Sequence, residues 1–74
     1  MRIGLIGFGE VGRILGEALV RQGGHWVGTY DRLLDDPGTA GDVAPRARAA
    51  GVQVAPTSAA LLAEADLAIS AVTA

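Results

Sequence analysis

The stretch RIGLIGFGEVG, residues 2–12, decides the fold. Residues 2–6 are apolar almost throughout, as in a parallel strand covered on both faces, and the glycine-rich sequence GFGEVG follows at 7–12. A stripe of helical spacing then runs along one predicted helix face through Val11, Ile14, Leu15, Ala18 and Leu19. Strand, glycine turn and helix in this order are typical of a dinucleotide-binding βαβ unit.

Each glycine of this motif has its own predicted task. Gly7 allows the sharp turn out of the strand, Gly9 lets the backbone approach a pyrophosphate, and Gly12 lets helix and strand pack closely. The helix start supplies unpaired N–H groups and roughly half a positive charge. The candidate cofactor loop is completed by Phe8, Glu10 and Val11. The competing interpretation is a glycine-rich turn of an α/β domain that binds no nucleotide.

An acid stands at the distance that a dinucleotide site requires. Asp31 follows the predicted second strand, Trp26–Tyr30, nineteen residues after Gly12. A carboxylate there accepts hydrogen bonds from the adenosine ribose and repels a 2′-phosphate, so it favours NAD. Arg32 beside it suits a 2′-phosphate and leaves NADP open. Thr73, at the carboxyl end of the predicted fourth strand, is a candidate contact on the cofactor's ribose side.

Strands and helices alternate along the chain as βαβαβαβ. Gly23-Gly24 ends the first helix, and 32–41 is predicted as a polar loop with an Asp36-Pro37-Gly38 turn. The remaining predicted elements are a helix from an Asp42 N-cap to Ala50 with Pro45 in its first turn, a strand at 52–55, a helix capped by Thr57 or Ser58 and running to about Glu64, and a strand at 66–72.

This order predicts a Rossmann-type α/β fold with a parallel sheet and helices on both faces. The 74 residues have room for the first βαβαβ half and a fourth strand. We therefore expect 1–74 to be the N-terminal part of a dinucleotide-binding domain, truncated before the second half.

Composition excludes several kinds of site. The net charge is −2 and the basic residues are unclustered, so neither nucleic acid nor an anionic membrane is an expected partner. The sequence has no cysteine and one histidine, which argues against disulfides, zinc–thiolate sites and multi-histidine metal sites. No apolar run approaches a membrane span of about 20 residues, and we expect a cytoplasmic protein. Arg13 and His25 are interpreted as structural.

The chain resembles the N-terminal NAD(P)-binding domain of the 6-phosphogluconate dehydrogenase and 3-hydroxyacid dehydrogenase superfamily, in its phosphogluconate dehydrogenase-like branch. The matching stretches are residues 3–12, 24–27, 30–32 and 65–70, of which the glycine motif and the Tyr30-Asp31-Arg32 corner are specific. The chain departs from the family pattern at three positions. Val11 replaces a common Met, Ala18 a common Asn, and Asp31 the Asn that often precedes the Arg, which counts against NADP.

The resemblance implies hydride transfer between a nicotinamide cofactor and a hydroxy acid, in a full-length protein that we expect to be a homodimer. The family's acid/base lysine lies in a C-terminal helical domain, and this sequence has no lysine. We therefore assign no catalytic residue and expect this segment alone to be inactive. The alternatives are a non-enzymatic NAD-binding regulatory domain and a prephenate dehydrogenase-like or imine-reducing enzyme. FAD is disfavoured because its sites usually carry Glu at the position of Asp31.

Overall fold

The computed structural model describes residues 1–35 and 37–71, with the backbone alone for 37–40. The elements are β1 Arg2–Ile6, α1 Glu10–Gln22, β2 Trp26–Tyr30, a 3₁₀ helix Arg32–Asp35, α2 Pro37–Ala49, β3 Gln53–Val54, α3 Ser58–Glu64 and β4 Leu67–Ser70. The predicted alternation of strands and helices is confirmed, and β1 and β2 have the predicted bounds.

The strands form one parallel sheet in the order β3-β2-β1-β4. Successive residues of a strand point to opposite faces, and the contacts of β1 show which helix covers each face. Leu5 lies under Gly16 of α1, whereas a Cβ on Gly4 would be 3.1 Å from Leu61 Cγ of α3. Helices therefore cover both faces, and the predicted α/β fold class is confirmed.

The buried face of α1 differs from the predicted stripe. Gly12 and Gly16 face the sheet, while Val11 and Ile14 are 53% and 54% exposed. A Cβ on Gly16 would be 3.0 Å from Val52 Cγ2, which shows how closely the helix approaches the layer below it. The prediction was wrong for three of its five positions, Val11, Ile14 and Ala18, because glycines rather than large side chains make the closest contact.

The segment after β2 also differs from the prediction. Residues 32–35 form a 3₁₀ helix, and α2 begins at Pro37, so the predicted polar loop at 32–41 is wrong. Asp42 lies inside α2 rather than at its N-cap, and Pro45 lies well past the first turn. Proline is favoured at the first helical position because its φ is already helical and its missing N–H is not needed. Asp36, part of the predicted turn, lies outside the described residues.

Two helix boundaries agree with the sequence-based expectations. Gly23 and Gly24 have φ values of +80° and +78°, which L side chains rarely adopt, and α1 ends just before them. Thr57 is the N-cap of α3, and its Oγ1 accepts a hydrogen bond from the Ala60 N–H at 3.0 Å. By contrast, β3 has only two residues, and β4 spans Leu67–Ser70 without Asp66 and Ala71, so both are shorter than predicted. Val72, the last residue of the predicted fourth strand, lies outside the described residues.

The core lies mainly between the sheet and the α1–α2 layer. Its buried members are Ile3, Leu5, Phe8, Val27, Val43, Ala47 and Val52. On the other face, Gly4 pairs with Gly28 and with Ala68, which makes a row of small residues across three strands. Leu61, fully buried, packs on this row. In the parts of the chain covered by the structure, no helix combines the length and hydrophobicity that crossing a membrane requires.

Candidate functional site

The carboxyl ends of three strands meet at one edge of the sheet. Gly7 follows β1 and donates its N–H to the Tyr30 carbonyl at the end of β2 at 2.8 Å. Ala71 follows β4 and donates to the Ile6 carbonyl of β1, also at 2.8 Å. In open α/β sheets this edge is where ligands bind. The glycine motif and Asp31 therefore lie at the same edge, as the sequence suggested.

The three motif glycines occupy three different environments. Gly7 has φ +98°, a conformation that favours glycine. A Cβ on Gly12 would lie 2.5 Å from the Gly7 carbonyl oxygen, which is closer than any real contact allows. Gly9 is exposed, and a Cβ added there would meet no atom within 4 Å. Gly7 and Gly12 are thus required by the fold, whereas nothing in the described fold requires a glycine at position 9.

The N-terminus of α1 faces this open space. Gly9 is the N-cap, has no side chain to cap the helix, and its carbonyl accepts the Arg13 N–H at 2.9 Å. Within residues 1–35 and 37–71, the N–H groups of Glu10, Val11 and Gly12 have no acceptor. Such groups, together with the helix dipole, suit an anion. The arrangement can hold a phosphate group close to Gly9.

Asp31 lies beside the loop and is half-buried. Its Oδ2 accepts the Phe8 N–H at 2.7 Å and its Oδ1 accepts the Leu33 N–H at 2.9 Å. An ionised carboxylate has about four acceptor positions, so two such bonds leave capacity for ribose hydroxyl groups. The residues present at this edge therefore fit the adenosine–pyrophosphate part of a dinucleotide, with an acceptor near the ribose and donors near the phosphates.

The other residues predicted to bind the cofactor differ in their exposure to solvent. The Phe8 side chain is 1% exposed and belongs to the core, so its backbone alone faces the edge. Glu10 and Val11 are exposed in the first turn of α1. Arg32 is exposed in the 3₁₀ helix and forms no ion pair with any residue whose side chain is described. Thr73 lies outside the described residues.

Two polar residues next to the site were not predicted from the sequence. Tyr30 donates its hydroxyl hydrogen to the Asp35 carboxylate. This hydrogen bond, with smaller contributions from desolvation and from the charges of Asp35 and Asp31, raises the pKa of Tyr30 above its ordinary value. Thr29, fully buried in β2, donates its hydroxyl hydrogen to the Leu5 carbonyl at 2.9 Å. The sequence feature that could have indicated the Thr29 hydrogen bond is the presence of a threonine in a strand whose other residues are mainly apolar.

The two residues interpreted as structural, Arg13 and His25, each have a side-chain partner within the described protein. Arg13 pairs with Glu17 one helical turn on, at 3.0 Å. His25 Nε2 lies 3.1 Å from Gln22 Oε1 near the opposite edge of the sheet. No group of three or more potential metal ligands occurs among the residues that the structure describes.

A groove of about 530 Å³ lies beside α3, away from the glycine loop. Its lining includes Arg2, Trp26 and Glu64. The guanidinium of Arg2 lies 4.5 Å from the centre of the Trp26 ring and forms an ion pair with Glu64. The positive charge of Arg2 is already paired with Glu64 and Trp26, so it is not free to bind a ligand in the groove.

Comparison with known proteins shows a likeness to solved structures. No family model and no curated protein matches the chain. A solved structure, a conserved hypothetical protein from Sinorhizobium meliloti 1021, is similar with a TM-score of 0.90 and 30% sequence identity. The match covers 99% of this chain and 24% of that protein, so the chain spans about a quarter of its length. The fold of the chain therefore recurs as part of a longer protein.

Proposed function

We propose that this chain binds the adenosine–pyrophosphate part of NAD, with NADP as the second choice, and is the cofactor-binding segment of an oxidoreductase. The proposed reaction is hydride transfer between the nicotinamide and a hydroxy acid, as in the 6-phosphogluconate and 3-hydroxyacid dehydrogenases that the sequence resembles. The substrate would be bound by residues outside this chain.

The observation that carries the proposal is the open space at Gly9. Gly7 and Gly12 have reasons within the fold, but a side chain at Gly9 would contact nothing in the described protein. A glycine there is explained by a ligand that needs the same space. The uncapped start of α1 points to an anionic ligand, since its N–H groups carry partial positive charge.

The choice of NAD rests on Asp31. Its carboxylate lies at the carboxyl end of β2, where it can accept hydrogen bonds from a ribose and would repel a 2′-phosphate. The exposed guanidinium of Arg32 beside it opposes this preference. Because Asp31 is fixed by two backbone bonds and Arg32 is solvated, we expect the carboxylate to dominate.

The chemistry belongs to the cofactor, whose oxidised nicotinamide would accept the hydride from the hydroxy acid and whose reduced form would return it to the oxo acid in the reverse direction. The role of this chain is to bind and orient it. No residue here is proposed to transfer a proton, and the absence of lysine from the sequence agrees with that division of work.

The test is calorimetric titration of the chain with NADH and, separately, NADPH at one salt concentration. We expect measurable binding of NADH, weaker binding of NADPH, and loss of both in Gly9→Ala. The added methyl group should leave the fold intact because it meets no atom of the described residues within 4 Å. Gly41→Ala is the matched control, since its Cβ also meets nothing within 4 Å but lies on α2.

Two results would contradict the proposal. One is the absence of NADH and NADPH binding by a chain shown to be folded. The other is unchanged NADH binding in Gly9→Ala, which would mean that the open space has no ligand. A preference for NADPH would keep cofactor binding and move the decisive contact from Asp31 to Arg32.

A further inference from the structure

The Asp31 carboxylate joins two segments that are far apart in sequence. Its Oδ2 accepts the N–H of Phe8 in the glycine loop, 23 residues away, at 2.7 Å. Its Oδ1 accepts the N–H of Leu33 at 2.9 Å, at the start of the 3₁₀ helix. One side chain therefore fixes both the loop after β1 and the turn after β2.

The first two residues of the glycine loop have further contacts with the protein. Gly7 donates to the Tyr30 carbonyl, and the Phe8 ring is buried in the core. The next residue, Gly9, is exposed and leads into the uncapped start of α1. The bond from Phe8 N–H to Asp31 is partly buried, and loss of the carboxylate would remove the acceptor of that N–H.

We infer that Asp31 is a positioning residue for the glycine loop, in addition to any contact with ribose. In the ligand-free chain it holds the Phe8 amide in place. The loop is then already ordered, and the N–H groups from Glu10 onwards are oriented to bind an anion. The consequence for cofactor binding rests on the proposed function, whereas the positioning itself concerns the free chain.

The free chain provides the first test, by amide hydrogen exchange followed by NMR. In Asp31→Ala we expect the Phe8 and Leu33 amides to exchange at least about tenfold faster, because each loses a hydrogen bond to a charged acceptor. The Ala60 amide, bonded to Thr57, should keep its rate. Unchanged exchange at Phe8 in a folded variant would overturn the inference.

Two further variants sharpen this measurement. Asp31→Asn keeps one oxygen acceptor and should protect one of the two amides while exposing the other, which offers a milder test if Asp31→Ala does not fold. Asp66→Ala is the matched control, because its carboxylate accepts the Arg2 N–H at the opposite edge of the sheet. It should leave exchange at Phe8 unchanged.

Inorganic pyrophosphate provides the second test, through its effect on the amide shifts of Gly9 to Gly12. A carboxylate that contacts only ribose would repel pyrophosphate, so its removal would strengthen binding. A carboxylate that positions the loop predicts the opposite sign, with binding weakened about tenfold in Asp31→Ala. Stronger binding in that variant would overturn the inference.

The two proposals can fail separately. If the folded chain binds neither NADH nor pyrophosphate, the proposed function fails, and the exchange rate of the Phe8 amide still decides whether Asp31 positions the loop. If NADH binds but the exchange rate of the Phe8 amide is the same in Asp31→Ala as in the unmodified chain, the positioning role fails and the cofactor proposal stands.

Discussion

Gly12 of α1 lies directly against the Gly7 carbonyl, so that a Cβ at Gly12 would be 2.5 Å from that oxygen. The contact is between two backbones and no flexible side chain can move to relieve it. The first turn of the helix is thereby brought onto the end of β1. This close approach holds the start of α1 beside the open space at Gly9.

Gly12→Ala should destabilise the fold by about 1–3 kcal/mol, the usual cost of overpacking a rigid site. Gly41→Ala on α2 is the control, and should be neutral or raise the free energy of unfolding by about 0.5–1 kcal/mol. Urea unfolding of the two variants measures both. Equal unfolding midpoints would mean that α1 can move away from β1 without cost.

Leu61→Ala should cost about 2–5 kcal/mol, since it removes a fully buried side chain that packs on Gly4 and Gly28. The neighbouring Leu62 is 51% exposed on the same helix, and Leu62→Ala should change the free energy of unfolding much less. Comparing the two by urea unfolding separates packing from helix propensity, which is the same for both. A similar loss in both variants would contradict the assigned role of Leu61.

Thr57→Ala should cost about 1 kcal/mol by removing the N-cap of α3. The Ala60 N–H, now bonded to Thr57 Oγ1 at 3.0 Å, would have to be satisfied by water. Thr57→Ser retains the hydroxyl group and should recover most of the loss in thermal unfolding. Failure of serine to do better than alanine would show that the cap bond contributes nothing.

The pKa of Tyr30 should lie above its ordinary value, chiefly because its hydroxyl donates to the Asp35 carboxylate. Folding favours the neutral phenol, so this stabilisation is complete below the unfolded-state pKa of about 10 and is lost as pH rises through the folded-state value. Tyr30 is the sole tyrosine of the sequence, so ultraviolet titration reports it directly.

The matched variant for this titration is Asp35→Asn, which removes the charge and keeps an acceptor oxygen. It should lower the pKa of Tyr30 towards its ordinary value. No change on substitution would show that Asp35 is not the cause of the shift.

The sequence predicted β1 and the glycine turn well because several signals coincide there. An apolar run, glycines at fixed spacing and a helical stripe all constrain residues 2–22. The start of α2 was mispredicted because Pro37 suits both a turn and a first helical position. Periodicity also misplaced the buried face of α1, since it scores large apolar side chains and not the glycines that permit close packing.

The contacts of Asp31 could not be predicted from sequence periodicity or motif spacing. Its position at the end of β2 follows from the motif spacing, but its bond to Phe8 joins residues 23 positions apart. That bond depends on the register of β1 against β2, in which Ile6 pairs with Tyr30. Only the assembled sheet brings the two residues together.

The strand order has a consequence for how the chain folds. The central strand β1 has β2 on one side and β4 on the other, and all pairings among the described strands are parallel, so none of these strands can pair through a hairpin. The contact of Arg2 with Asp66 before β4 joins positions 64 residues apart. Closing so long a loop is entropically costly and slow. A nascent chain therefore cannot pair the second side of β1 until Leu67–Ser70 have left the ribosome.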